Sequence, residues 1–270
     1  VKVNGKAVGL YNDRSHWGGL VEFGSFEFVN GKEITITVTY AKEIRSYELL
    51  PIHRLDLLSV KQKGKHTIEI RTARADQNIT IVVNGEPKKD VLHLFCNSVD
   101  RNAPKVKDAT GYHRYDDERL HYFGPGFHDL RQIFKDKDML VLDNGWKVYV
   151  AAGAVLYGRI GLWGTQKGTK VYGRGMIYND TQNPHVVFEA NECQGADVEG
   201  VLMHAHRPGV WQVVVNHCRN VEFKGVKILS TRYASTDGLD IVNCQQCAFL
   251  NTFIRANDDA IAIKGLDSRQ

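Results

Sequence analysis

No run of apolar residues in this 270-residue chain approaches the roughly 20 needed to cross a bilayer, and no basic-then-apolar leader opens it. Neither a membrane-spanning helix nor a retained secretion signal is therefore expected within these residues, and with Val1 rather than Met at the start, secretion after processing stays open. Runs of Lys and Arg are also missing, and the net charge is only +4, so a phosphate-tracking surface and a nucleic-acid partner are not expected. Proline is scarce, at six residues, while glycine reaches 25. With abundant Val, Ile and Thr, that balance favours strands and tight turns over long helices. The five cysteines (Cys96, Cys193, Cys218, Cys244 and Cys247) are an odd set with one C-x-x-C and no second pair or neighbouring His. They lack the spacing of a zinc site, and Cys244 and Cys247 lie in strand-like sequence rather than at a helix start, so they read as small buried hydrophobes. No cofactor and no bound metal are expected.

What the chain does contain is period-two alternation. Ile34, Ile36, Val38 and Tyr40 form one run, Ile68 and Ile70 a second, and Ile79, Ile81 and Val83 a third. Asn84-Gly85 follows the third as a hairpin signal, with Leu92, Leu94 and Cys96 as the returning strand. Residues 1–100 are therefore expected to form an antiparallel β-sandwich. Periodicity is lost over 101–119, around Pro104 and the charged cluster Asp116 to Arg119, which reads as a linker.

From residue 120 to 270 apolar positions recur at the length of a β-helix coil. Val171, Val198, Val221 and Cys247 are separated by 27, 23 and 26 residues. In the last two coils Cys218-x-x-Val221-x-Phe223-x-x-Val226-x-Ile228 matches Cys244-x-x-Cys247-x-Phe249-x-x-Thr252-x-Ile254. Stacked coils bury like residues above like, so this half is expected to be a right-handed parallel β-helix, all-β throughout and incomplete in this chain.

Charge is distributed unevenly along it: residues 101–236 carry 18 basic and 14 acidic side chains, and residues 237–270 carry 3 and 5. The acidic excess includes Ser235-Thr236-Asp237-Gly238-Leu239-Asp240 and Asp258-Asp259-Ala260-Ile261-Ala262-Ile263-Lys264. Asp237 and Asp259 are 22 residues apart, close to one coil, which puts them at the same edge of neighbouring coils about 4.8 Å apart. Carboxylates held so close raise one another's pKa, so one of the group is expected to hold a proton beside ionised neighbours. That is the pairing of acid and base that glycosidic cleavage requires. Two other readings stay open on the residues alone: solvated turns, since Asp-Gly is common there, and a calcium site built from Asp237, Asp240, Asp258 and Asp259.

These two stretches resemble the N-T-D-G-x-D and D-D-C-x-A-I-K signatures of glycoside hydrolase family 28, the polygalacturonases. Phe123-Gly124-Pro125-Gly126 and Val148 to Ala154 are similar to the lead-in of β-helix hydrolases of this clan, including the family 49 dextranases, which also carry an N-terminal β-sandwich. The resemblance implies a secreted or periplasmic hydrolase of a polysaccharide or oligosaccharide. It further implies Asp258 as general acid, with Asp237 and Asp259 positioning and deprotonating water in an inverting mechanism. Lys264, Asp240, His206 and Trp211 are the candidate substrate contacts. This sequence departs from the family at Ser235, where Asn is usual, and at Ala260, where Cys is usual; the family's G-H-G and R-x-K motifs lie beyond Gln270. A dextranase-like glucanase, a calcium-dependent lyase and a glycan-binding fragment remain as alternatives. His204 and His206, two apart, suit a metal or a sugar-contacting loop beside Arg207-Pro208-Gly209, and Trp163 is a further candidate for stacking on sugar.

Overall fold

A computed structural model of the chain describes residues 1–180, 186–206, 211–230, 233–234 and 236–265. It divides into two compact units, Val1–Arg101 and Asn102–Gln270. Among the described residues no helix is long and apolar enough to cross a membrane.

The first unit contains two five-stranded sheets. One is centred on Ile34–Thr39 and Thr67–Thr72, the other on Val91–Ser98 and Gln77–Val83. The alternation seen in the sequence becomes a shared core: Ile36, Ile68, Ile70, Ile81 and Leu94 have no exposed surface. Each such side chain contributes about 1.5–3 kcal/mol of burial. Two details differ from expectation. The sheets are antiparallel except that Val91–Ser98 runs parallel to Leu20–Phe28, which the long crossover between those strands permits. Asn84-Gly85 also does not make a two-residue hairpin, because Val82 already pairs with Val91 across a longer loop. With left-handed backbone at Asn84 and Gly85, the Asn84 amide instead accepts from the Arg45 and Ser46 N–H groups and donates to the Glu43 carbonyl.

The second unit is a parallel β-solenoid. Its six-stranded sheet takes strands in strict chain order, from Gly126–Asp129 through Ala154–Tyr157, Met176–Asn179, Leu202–Ala205 and Lys227–Leu229 to Phe253–Arg255. Its eleven-stranded sheet includes the long strands Arg159–Gly173 and Phe188–Glu199. Inward rows stack coil upon coil: Ile160, Phe188, Val213 and Leu239 in one, and Leu156, Ile177, Met203 and Ile228 in another, all with no exposed surface. The first row continues onto Ile261, which is 52% exposed because no further described strand covers it.

The alignment of the last two coils read from the sequence is the observed one, with Phe223 beside Phe249 and Ile228 beside Ile254. One coil earlier the register differs: Val198 pairs with Phe223, not Val221. Valine repeats at alternate positions, and a slip of two keeps every side chain on its proper face, so pattern alone does not resolve it. The segment 101–119, read as a linker, also contains structure. Tyr112–Tyr115 returns antiparallel on Leu120–Phe123, with Tyr112 packed against Phe123 and Phe134. A four-residue strand bounded by charged turns is too short to show a period.

All five cysteines are free. Cys193, Cys218 and Cys244 follow one another on successive coils: the Cys193 N–H donates to Cys218 Sγ, and the Cys244 thiol donates to the Val215 carbonyl. The side-chain hydrogen bond between the Cys218 and Cys193 thiols, together with burial, pushes the Cys218 thiol up against the opposing pull of the Cys193 N–H, and burial pushes that of Cys244 up to about 11. Cys96, Cys193 and Cys218 are buried, whereas Cys244 and Cys247 are half-buried rather than fully enclosed as expected. A thiol reagent such as dithionitrobenzoate is therefore expected to titrate no more than these two in native protein, slowly, and all five after denaturation. Rapid native reaction of three or more would contradict the stacked column.

Candidate functional site

Where the six-stranded sheet hands over to the eleven-stranded sheet, successive coils meet in a set of connections that carry the motif residues. Asp237 and Asp259 are held at equivalent places on adjacent coils, since Leu239 pairs with Ile261 just beyond them. Backbone bonds fix them there: Gln212 N–H donates to the Asp237 carbonyl, and Gly238 N–H to the Asp259 carbonyl at 2.8 Å. Gly238 does not serve as a left-handed turn. A Cβ on it would lie 2.4 Å from Ile254 Cγ2 and 2.7 Å from the Ala260 carbonyl oxygen, so the coils close at this point only on a glycine.

The consequence is a cluster in which Asp237, Asp258 and Asp259 each offer a carboxylate oxygen, all within 4.8 Å of one another. Asp237 is buried, while Asp258 and Asp259 are exposed. The Asp258 N–H donates to the Thr236 carbonyl at 3.3 Å. Two neighbours of the aspartates complete the support: the hydroxyl of Thr236, a motif residue, and the Asn257 amide both donate to the Tyr233 carbonyl, at 2.7 and 2.8 Å. Gln212 has no exposed surface, and neither end of its amide has a hydrogen-bond partner among the described residues. Only the folding of three coils against one another brings these groups together. Ser235 of the motif, and Arg207-Pro208-Gly209, lie outside the described residues.

Asp240 is not part of that cluster. It has no exposed surface, and its Oδ1 accepts a close hydrogen bond from Lys264 Nζ while Oδ2 has no hydrogen-bond partner among the described residues. Burial pushes the Asp240 carboxyl above the usual carboxylate range; Lys264 pulls the other way and Asp237 adds to the rise. Lys264 Nζ also lies 3.5 Å from Asp237 Oδ2 and sits over the Trp211 ring, 3.4 Å from its centroid. Burial works against the ammonium, but Asp240 and Asp237 outweigh it and hold its pKa above the ordinary lysine value. A chain of contacts therefore runs from exposed Trp211 through Lys264 to Asp237 and the cluster.

The other candidates fall around this centre unequally. Asp240 has no surface on which to meet a substrate directly. Trp211 is 40% exposed and keeps open ring surface beside Lys264. His206 is half-buried, its ring 6.0 Å from that of Tyr233, the residue whose carbonyl supports Thr236 and Asn257. His204 is buried and stacked on Tyr178, and a ring nitrogen lies 3.1 Å from the Leu229 carbonyl. Trp163 is exposed, on the eleven-stranded sheet. Three carboxylates this close could hold a cation. However, calcium takes six to eight oxygen ligands, and an ammonium already occupies the flank of Asp237 while Asp240 is committed to it.

Comparison with known proteins adds three findings. The profile of the glycosyl hydrolases family 28 matches residues 128–268, just over half of the chain. None of the curated proteins matches the sequence. Among solved structures, the chain is similar to a candidate glycosyl hydrolase from Parabacteroides merdae ATCC 43184, at 13% identity and a TM-score of 0.39, covering 56% of this chain and 81% of that one. It is also similar to Dex49A from Penicillium minioluteum, at 12% identity and a TM-score of 0.41, covering 92% of this chain and 67% of that one.

Proposed function

The chain belongs to the glycosyl hydrolases family 28, and from that premise we propose that it is a polysaccharide hydrolase of the polygalacturonase type in which Asp258 is the general acid and Asp237 and Asp259 position and deprotonate the water. The observation that carries this reading is the convergence of the three carboxylates within 4.8 Å, two exposed to solvent and one buried against a lysine. Asp258 delivers its proton to the glycosidic oxygen as the bond to the anomeric carbon breaks. Water adds to that carbon and gives its proton to the Asp237 and Asp259 pair, so one bond is cleaved and one water consumed. Lys264 neutralises part of the charge at Asp237, and Trp211 offers a ring face to a sugar. A polymeric glycan substrate goes with action outside the cytoplasm.

Inversion at the anomeric carbon is part of this proposal, and it follows the family rather than the distances. Carboxyl pairs in inverting enzymes commonly stand about 6.5–9.5 Å apart and those in retaining enzymes about 5–5.5 Å, whereas here the nearest oxygens are within 4.8 Å. Proton NMR of the first-formed product on polygalacturonate and on dextran separates the outcomes. The inverted anomer is expected, with new reducing ends and no loss of rate in chelator. A retained anomer would reassign one aspartate as a nucleophile; an unsaturated, chelator-sensitive product would replace hydrolysis by calcium-dependent elimination.

A further inference from the structure

Far from the aspartates, on the first coils of the solenoid, a cavity of about 220 Å³ is lined by Arg114, His121, Phe134, Lys137, Asp143 and Trp146 together with aliphatic neighbours. In the eleven-stranded sheet, Leu120–Phe123 is five ladder steps from Leu239–Val242, or about 24 Å at the usual strand spacing. The volume is small beside the roughly 300–1,000 Å³ of pockets for drug-sized ligands and corresponds to about seven waters, room for one sugar ring.

Its lining is built rather than incidental. His121 is only 6% exposed, held by Tyr112 Oη at 2.9 Å from Nδ1 and tilted against Trp146 with ring centroids 4.9 Å apart. Its Nε2 has no hydrogen-bond partner among the described residues, and the ring lines the cavity. Burial lowers the His121 pKa to about 4, which leaves a neutral imidazole at ordinary pH. Arg114 is fixed at the rim, 4.6 Å over the Trp146 ring and 2.8 Å from Asp116. Lys137 is exposed and has no ion-pair partner among the described residues. An apolar aromatic wall, unpaired positive charge and one carboxylate able to accept hydroxyls form a consistent set.

We propose that this cavity is an ancillary saccharide site for a single uronate unit, its carboxylate toward Lys137 and Arg114, its apolar face on Trp146, and its hydroxyls toward Asp143 and His121. The proposal rests on the reading of the chain as a polysaccharide hydrolase, since an ancillary site raises the local concentration of a chain that also reaches the aspartates. Charge selects the class: with Arg114 tied to Asp116, Lys137 is the lining cation that has no ion-pair partner among the described residues. The site binds; it takes no part in the reaction.

The test is binding rather than turnover. Tryptophan fluorescence of the 270-residue protein is followed during titration with sodium galacturonate, with sodium chloride and glucose as controls. A saturable change with galacturonate is expected, with affinity lowered roughly tenfold in Lys137→Glu and unchanged in Asp258→Asn. Lys137 is exposed, so the variant keeps its fold, and its hydrolysis of short soluble oligomers stays that of the parent. Absence of a saturable response, an equal response to glucose, or a response lost in Asp258→Asn but kept in Lys137→Glu would each overturn the site. Because Asp258→Asn serves as the control, failure here leaves the catalytic proposal intact, and a chain that binds galacturonate without hydrolysing polygalacturonate fails only the latter.

Discussion

Asp258→Asn is expected to lower kcat by about 10²–10⁴, the usual contribution of one positioned acid or base, without loss of fold. The side chain is exposed, and the bond that places the residue runs from its backbone N–H to the Thr236 carbonyl, which the substitution leaves in place. Asparagine matches the shape of the carboxyl but has no proton to deliver to a leaving oxygen. Asp237→Asn and Asp259→Asn should fall in the same range. Combining them with Asp258→Asn should cost far less than the product of the single losses, because groups within 4.8 Å that serve one event fail together. The measurement is release of reducing ends on whichever glycan the parent cleaves. Undiminished turnover after Asp258→Asn would remove the acid from the proposal and leave the cluster as a structural or ion-binding feature.

The second large effect concerns stability. Lys264→Met leaves Asp240 buried without its partner, and an uncompensated buried charge costs about 3–5 kcal/mol; with Lys264 itself 26% exposed, the lower end, about 3 kcal/mol, is expected. Asp240→Asn in the Lys264→Met background should restore most of that loss, since a neutral amide in the same volume needs no counter-ion. Trp146, Trp163 and Trp211 lie in the second unit and Trp17 in the first. Urea unfolding read by fluorescence is therefore weighted toward the solenoid, and the two units need separate transitions in the fit. If Lys264→Met moves the solenoid transition by less than about 0.5 kcal/mol, the ordinary range of a surface substitution, the Asp240 pairing does not support the fold. Activity should fall as well, because Lys264 lies 3.5 Å from Asp237. In that respect the double variant should not recover.

Much of this architecture is legible in the sequence because burial imposes a period. Strands half-covered on one face must alternate, and coils that stack like on like must repeat, so Ile34 to Val38 and the matched rows from Cys218 and Cys244 reveal sandwich sheets and solenoid before any coordinate is known. The same repeat shows that Asp237 and Asp259 occupy equivalent positions on neighbouring coils, and the motif adds Asp258. Three things required the tertiary structure. Register between Val198 and Phe223 depends on which of two equivalent slips packs better, a comparison of volumes rather than of pattern. The fate of Asp240 depends on its burial and on Lys264 from the next coil, so an aspartate that looks like its neighbours in sequence becomes a buried anchor with a raised pKa. Finally, the Tyr233 carbonyl that anchors Thr236 and Asn257, and the cavity at His121, join residues from separate segments that no period or motif connects. Periodicity reports which face of a strand is covered. Contacts between side chains from different coils are set by how those coils close on one another, and only the folded chain determines that.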